Sequence, residues 1–366
     1  MKRSDYKPLG EYIELVNERN RDLAISNLVG VSIEKKFIPS IANIIGTDLS
    51  PYKIIRYNQF AYGPVTSRNG DKITIAIYKD KEDGILSQAY EVFRIKDENL
   101  LLPDYLMLWV KRPEFDRYAR YMSHGSVREL FSWEEMCKVT LPVPSIEEQR
   151  RIVSEYQSVE RRIKNNEAMI RKLEETAQVI YLHTFVESID KNNLPEGWKK
   201  GCLGDIVTFR VGGDKPNFFS ETPTEECCFP IYSNGVENKG LYGYTNKAAV
   251  QEASVTISAR GNVGTCFLRR KPYSGIVRLV SVIPSNSEML YYLFYELSSR
   301  NMQGDGSAQA QITVPQLQNE QMIIPAKDTL IRFCKQAKVI YDNIDCIEKE
   351  LHHLRTLQTL LTSKLA

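Results

Sequence analysis

The side chains best suited to specific chemistry are guanidinium, amine and carboxamide groups on short, glycine-bearing segments. One is Gly63-Pro64-Val65-Thr66-Ser67-Arg68-Asn69-Gly70-Asp71-Lys72, with Arg68, Asn69 and Lys72 between two strand-like runs. Two more are Tyr232-Ser233-Asn234-Gly235 and Ser258-Ala259-Arg260-Gly261-Asn262, with Arg210 as a further candidate upstream. Such groups can meet two partners on one planar edge, as in the reading of a base edge in a DNA groove. Loops on a firm scaffold usually carry contacts of this kind. The candidate set is therefore Arg68, Asn69, Lys72, Arg210, Tyr232, Asn234, Arg260, Asn262 and Gln309, the last within Gly306-Ser307-Ala308-Gln309. Each has a plainer reading as well. Asn69-Gly70 is a strong hairpin-turn signal, the other glycines also suit turns, and 306–309 suits a turn bracing a domain against a helix.

Catalysis and metal binding have no comparable residue set. Seven cysteines at 137, 202, 227, 228, 266, 334 and 346 form no C-x-x-C pair, and there are four histidines, so a clustered zinc site is not indicated. Adjacent Cys227 and Cys228 read as reduced thiols of a cytoplasmic protein. Ser, His and Asp show no triad-like arrangement, and no phosphate-loop signature is present. The first ten residues are charged and include Pro8, unlike a signal peptide, and no apolar run approaches the roughly 20 residues of a membrane helix. The expectation is a cytoplasmic protein with no membrane and no cofactor of its own. A net charge of +2 permits nucleic-acid binding without requiring it.

What must position the candidate loops is a repeat. Between 145 and 187 one apolar seam runs Ile152, Val159, Asn166, Leu173, Ile180, and another Tyr156, Ile163, Ile170, Ala177, Thr184. Near the C-terminus the seams are Phe333, Ile340, Ile347, Leu354, Leu361 and Ala337, Ile344, Leu351, Gln358, Leu365. Seventeen of these twenty positions are apolar, where a 42% apolar composition gives about eight by chance. From Ile152 to Phe333 the offset is 181 residues, and the same offset sets Gly125-Ser126 on Gly306-Ser307, Leu141-Pro142-Val143-Pro144 on Met322-Ile323-Ile324-Pro325, and Arg151 on Arg332. Leu9-Gly10-Glu11 and Leu203-Gly204-Asp205 open the two halves. The order expected is a domain at 1–144, a spacer helix at 145–189, a second domain at 190–325 and a second helix at 326–366. Ser145 with Glu148 reads as a capping box, and Asn192-Asn193-Leu194-Pro195-Glu196-Gly197 as a linker.

Strand-like runs at 29–33, 73–78, 90–95, 254–257, 264–268 and 278–283, with helices at 103–120 and 287–302, make each half α/β or α+β. The aromatic residues of those helices, Trp109, Tyr118, Tyr291, Tyr292 and Tyr295, read as core, and His352 and His353 as surface. The first spacer helix, some 43 residues, would extend about 64 Å. The second must run back along it to bury its seam, giving an antiparallel coiled coil between two globular domains related by a pseudo-two-fold axis. Two similar domains on a rigid spacer suit the reading of two short sequences a set distance apart. A buried Asn166 would set register; a tolerated, part-exposed Asn is the other reading.

Over nearly its whole length the chain resembles the specificity subunits of type I restriction–modification systems. The resemblance rests on Pro8-Leu9-Gly10-Glu11, Gly197-Trp198-Lys199 through Leu203-Gly204-Asp205, the two Gly-Ser turns, and Leu141-Pro142-Val143-Pro144-Ser145-Ile146-Glu147-Glu148-Gln149-Arg150-Arg151-Ile152 ahead of a heptad helix. Two features depart from the family pattern. The second helix begins Ile324-Pro325-Ala326-Lys327-Asp328-Thr329-Leu330 without Glu-Glu-Gln, and the first Gly-Ser turn continues Val127-Arg128. The resemblance implies a non-catalytic subunit that binds double-stranded DNA in two target-recognition domains. It also implies two methyltransferase (modification) subunits packed on the helices, binding S-adenosylmethionine, and motor-nuclease (restriction) subunits, binding ATP and Mg, that can join them. The chain itself has no N-P-P-F-like methyltransferase motif. A fused restriction–methylation enzyme would need a domain for which 366 residues leave no room. A coiled-coil scaffold with carbohydrate- or protein-binding ends is the competing class.

Overall fold

The computed structural model describes residues 6–40, 46–67, 69–125, 129–187, 189–300, 302 and 311–365. The chain divides into two compact units, one of Met1–Asn166 with Lys349–Ala366, the other of Glu167–Glu348. The division falls inside the two long helices, so each unit contains part of both.

In the first unit the strands are β1 (Tyr6–Pro8), β2 (Ile13–Leu15), β3 (Val29–Val31), β4 (Phe37–Pro39), β5 (Lys53–Ile55), β6 (Phe60–Tyr62), β7 (Ile75–Ile77), β8 (Gly84–Leu86), β9 (Glu91–Ile95) and β10 (Thr140–Pro142). A sheet of order β2-β9-β6-β7 is central, with pairs β3-β4, β5-β8 and β1-β10 beside it. Successive strand residues face opposite ways. Phe60, Tyr62, Ile75 and Phe93 therefore fill one core, while Ala61, Ala76 and Val92 fill another on the opposite face. Helices α1 (Pro103–Val110), α2 (Pro113–Tyr121) and α3 (Trp133–Lys138) follow β9. The single helix expected at 103–120 is broken because Pro113 holds Arg112 extended at φ −69°, ψ 141° and supplies no N–H. Trp109 and the aromatic ring of Tyr118 pack in the core as expected.

The second unit has β11 (Lys199–Cys202), β12 (Val207–Val211), β13 (Phe229–Tyr232), β14 (Leu241–Thr245), β15 (Ser254–Ile257), β16 (Cys266–Arg269), β17 (Ser274–Gly275), β18 (Val280–Pro284) and β19 (Gln321–Ile324). Its central sheet is β12-β18-β15-β16, with β14-β13-β17 and β11-β19 as smaller sheets. Val255, Ile257, Val280 and Val282 face the core, where Tyr291, Tyr292 and Tyr295 arrive on α5 (Leu290–Ser298). The other face mixes a small apolar cluster of Val250, Tyr273 and Ile283 with buried polar groups. There Tyr273 bridges the hydroxyls of Ser254 at 2.9 Å and Ser281 at 2.7 Å. Helix α6 (Val314–Gln318) starts on a Thr313–Gln316 capping box and leads to β19.

The long helices are α4 (Ile146–Leu182) and α7 (Lys327–Ser363). Ser145 Oγ accepts from the Glu148 amide at 3.3 Å, but the Glu148 carboxylate turns to Arg151 instead of closing the expected box. In the first unit Arg162 pairs with Glu350 at 2.8 Å, and Tyr156 approaches Gln358, so the helices run antiparallel there. In the second, Tyr181 and Phe185 meet Phe333. Phe333 is buried, whereas Ile152, Val159, Leu173, Ile180, Ile340, Ile347, Leu354 and Leu361 are half-buried flanks of the contact. The deepest positions follow the second seam: Tyr156, Ile163, Ala177, Ala337, Ile344, Leu351 and Leu365. Thr184 does not continue it. A π-helical turn over His183–Glu187 widens the spiral and brings Phe185 inward after Tyr181. Asn166 is buried at 3% exposure beside Glu350, yet its Nδ2 makes no hydrogen bond of normal geometry.

Candidate nucleic-acid interface

Strand pairing decides which loops meet. In the second unit Val211 of β12 and Ile257 of β15 both pair with Val280 at the start of β18. The ends of β12 and β15 and the turn before β18 therefore lie together. Ser258 Oγ donates to the Asn234 carbonyl at 3.5 Å, which adds the loop after β13 to the same group. Asn234, Arg260 and Asn262 thus belong to one loop cluster. Asn234 Nδ2 donates to Val277 O at 2.7 Å, while its Oδ1 is buried without a partner. Arg260 is exposed and directs Nε and Nη2 to Gln311 Oε1 at 2.9 and 2.7 Å. Asn262 is exposed, and its carbonyl accepts from the Thr265 amide in the turn.

Two other candidates adjoin the cluster in the backbone, where the Tyr232 carbonyl accepts from Ile276 N at 2.9 Å, but engage their side chains elsewhere. Arg210 sits within β12 opposite Ser281 and donates to the Ala249 carbonyl. The ring of Tyr232 is half-buried under the Arg269 guanidinium, 3.5 Å from the ring centroid. Burial pushes the Arg269 pKa down to about 10, with Tyr232 and Tyr273 opposing that shift. Arg269 also donates to Thr256 Oγ1 at 3.0 Å and Lys239 O at 2.6 Å. This stack braces strand β16. It lines a cleft of about 700 Å³ in which Arg270 pairs with Asp342 and Asp345, and Lys239 with Glu348. Two cations of that cleft, Lys239 and Arg270, are thus paired with carboxylates on α7.

In the first unit the candidate loop joins β6 to β7, and the loop of Arg260 and Asn262 joins β15 to β16. Both connect the third and fourth strands of equivalent sheets, an equivalence invisible to the 181-residue offset. Asn69 is half-buried and used internally: its Nδ2 donates to Val65 O at 3.1 Å, and its amide to Thr66 O at 3.0 Å. Gly70 is left-handed at φ +61°, as the Asn-Gly signal anticipated. Lys72 Nζ pairs with Glu34 at 2.9 Å, both exposed. Arg68 and Gln309 lie outside the described residues, as do Ser126, Val127, Arg128 and the 306–309 turn.

The sequence marked Gln149 only as part of the helix-entry motif and gave it no structural role, although it lies one heptad before Tyr156. It is fully buried, accepts from Leu102 N at 2.8 Å, and donates to Leu100 O and Pro144 O at 2.9 Å each. Those three bonds staple the start of α1 to the start of α4. At the corresponding place 181 residues on stands Leu330, packed in the apolar core. The missing Glu-Glu-Gln at the second helix start is thus a replacement of a polar staple by an apolar one. Among the described residues no group of three or more His, Cys, Asp or Glu could hold a metal, and no helix is long and apolar enough to cross a membrane.

A family model described as type I restriction modification DNA specificity domain matches residues 34–175 and again 195–362. A type I specificity subunit of Mycoplasma pneumoniae is 32% identical over 137 residues, 37% of this chain and 38% of that protein. The chain therefore spans less than half the length of that relative. The HindI specificity subunit of Haemophilus influenzae is 18% identical across 99% of both chains. In fold, the chain is similar to the type I restriction-modification S subunit from M. genitalium, with a TM-score of 0.60 at 17% identity over 98% of this chain and 95% of that one. Two matched domains covering most of the residues, on equivalent four-stranded sheets, place the chain in the type I restriction–modification DNA specificity family.

Proposed function

We propose that this chain is the sequence-specific DNA-binding subunit of a type I restriction–modification complex. Each unit reads one half of a bipartite target. Methyltransferase subunits, carrying S-adenosylmethionine, and motor-nuclease subunits, carrying ATP and Mg, act on the DNA that it selects, methylating adenine or cleaving. The observation that carries the reading is the pair of equivalent loops, 63–74 and 258–265, each holding guanidinium and carboxamide groups and each borne by one of the two family-matched domains. A scaffold with carbohydrate- or protein-binding ends gains no support from the family match.

The purified chain is expected to transfer no methyl group until a methyltransferase subunit is added. Replacing residues 1–144 by the same domain of a relative is expected to change one half of the target and leave the other. Methylation mapping of DNA treated with the assembled complex measures both. Methyl transfer by the rigorously pure chain, or a change in both half-sites at once, contradicts the reading.

A further inference from the structure

The turn at 276–279 carries a backbone that its own side chains oppose. Val277 lies at φ +55° and Arg278 at φ +59°, consecutive left-handed residues, with Leu279 N donating to Ile276 O at 3.1 Å. Turns with two left-handed central residues normally take Asn and Gly there. A β-branched residue in that region is a steric outlier. Three neighbours hold the turn in place. Val277 N donates to Gly213 O at 2.9 Å, Arg278 N to Gly212 O at 3.1 Å, and Asn234 Nδ2 to Val277 O at 2.7 Å. Gly212 is required for this approach, because a Cβ there would lie 2.7 Å from the Gly275 backbone.

No gain in packing accounts for the strain. The Val277 side chain is 57% exposed, and Arg278 is exposed as well. Arg260 and Arg210 already donate to Gln311 and Ala249, whereas the Arg278 guanidinium makes no hydrogen bond or ion pair among the described residues. Strain maintained by surrounding structure, on side chains that point to solvent, is a mark of a preorganised contact.

We propose that 276–279 is a preformed base-reading finger of the second unit, in which Arg278 offers its guanidinium fork to a guanine edge in the major groove and Val277 packs against the adjoining thymine methyl. This rests on the DNA-reading function above and names the residues that would set one half of the target. The turn that presents the fork is already held in its backbone, so only the Arg278 side chain is left to order on binding, and its planar guanidinium favours discrimination over general adhesion. The candidates taken from the sequence would then support the finger: Asn234 holds its carbonyl, and Arg260 stands in the neighbouring loop.

The test is selection of bound duplexes from a randomised DNA library by the full-length chain, followed by affinity measurement on the selected site. With Arg278→Ala, the preference for guanine at one position of one half-site is expected to disappear, with a loss of about ten- to a hundredfold on the selected site. Binding to unrelated DNA should change little. Arg278→Lys should fail in the same way, because an ammonium lacks the fork. Unchanged selection by Arg278→Ala, or full function of Arg278→Lys, overturns the proposal. Equal weakening on every sequence also overturns it, since that is the behaviour of a phosphate contact. Failure of the underlying function is distinct: the wild-type chain itself would then select no consensus, and the finger would fall with it.

Discussion

The two units solve one architectural problem twice with different materials. In both, the first strand pairs with the strand that precedes a long helix, β1 with β10 and β11 with β19. In both, the Leu-Gly-acid turn then donates an amide to the chain ahead of that last strand, Leu9 to Val139 and Leu203 to Glu320. Tyr105 and Tyr292, one on each aromatic helix, donate to the carbonyls of Pro142 and Ile323, again 181 residues apart. Away from this frame the likeness stops. The far face of the first sheet presents Ala61, Ala76 and Val92 to an apolar cluster with Val29, Val31, Ile55 and Leu86, whereas that of the second adds a hydroxyl network around Tyr273 to a smaller apolar cluster. The turn before β9 is ordinary, with Tyr90 N bonded to Ser87 O, while the turn before β18 is strained. The frame that seats each domain on its helices is shared, because close backbone approach leaves few alternatives. The parts that face outward are free to differ.

The sharpest way to break the comparison is to exchange the staples. Gln149→Leu leaves the Leu102 amide and two carbonyls without their partner, and should cost about 2–4 kcal/mol. Leu330→Gln buries an amide among apolar side chains, and should cost a similar amount in the other unit. Hydrogen exchange resolved by segment measures both. If Gln149→Leu loosens β11–β19 as much as α1, the staple is not confined to its own unit.

A smaller effect is expected at the opening turns. An added Cβ at Gly10 would lie 2.8 Å from Cys137 Cβ, and at Gly204 3.1 Å from Gln318 O. Gly10→Ala should therefore destabilise by about 1–3 kcal/mol, and Gly204→Ala by less. Urea denaturation gives the order, and equal losses would mean that the two seats are equally tight.

The smallest change is a gain. Val277→Gly removes the left-handed penalty on a β-branched residue, and should raise stability by about 1 kcal/mol, less the entropy that glycine returns to the unfolded chain. Thermal melting reads it. A clear loss would mean that Val277 is held by contacts and not strained.

The long helices, the two-domain plan and the mixed α/β character followed from the sequence alone, because heptad repetition and a 181-residue offset are properties of order along the chain. Asn69-Gly70 was legible as a turn for the same local reason. Tertiary structure decided the rest. Pro113 breaks what periodicity joined, and the π turn after Leu182 exchanges Thr184 for Phe185, because an aromatic cluster of Tyr181, Tyr292 and Phe333 rewards that rotation. Arg278 read as the opening of a strand, yet β18 begins at Val280. No local pattern announces a left-handed Val-Arg pair. Only the approach of Gly212, Gly213 and Asn234, distant in sequence and brought together by strand pairing, holds it there.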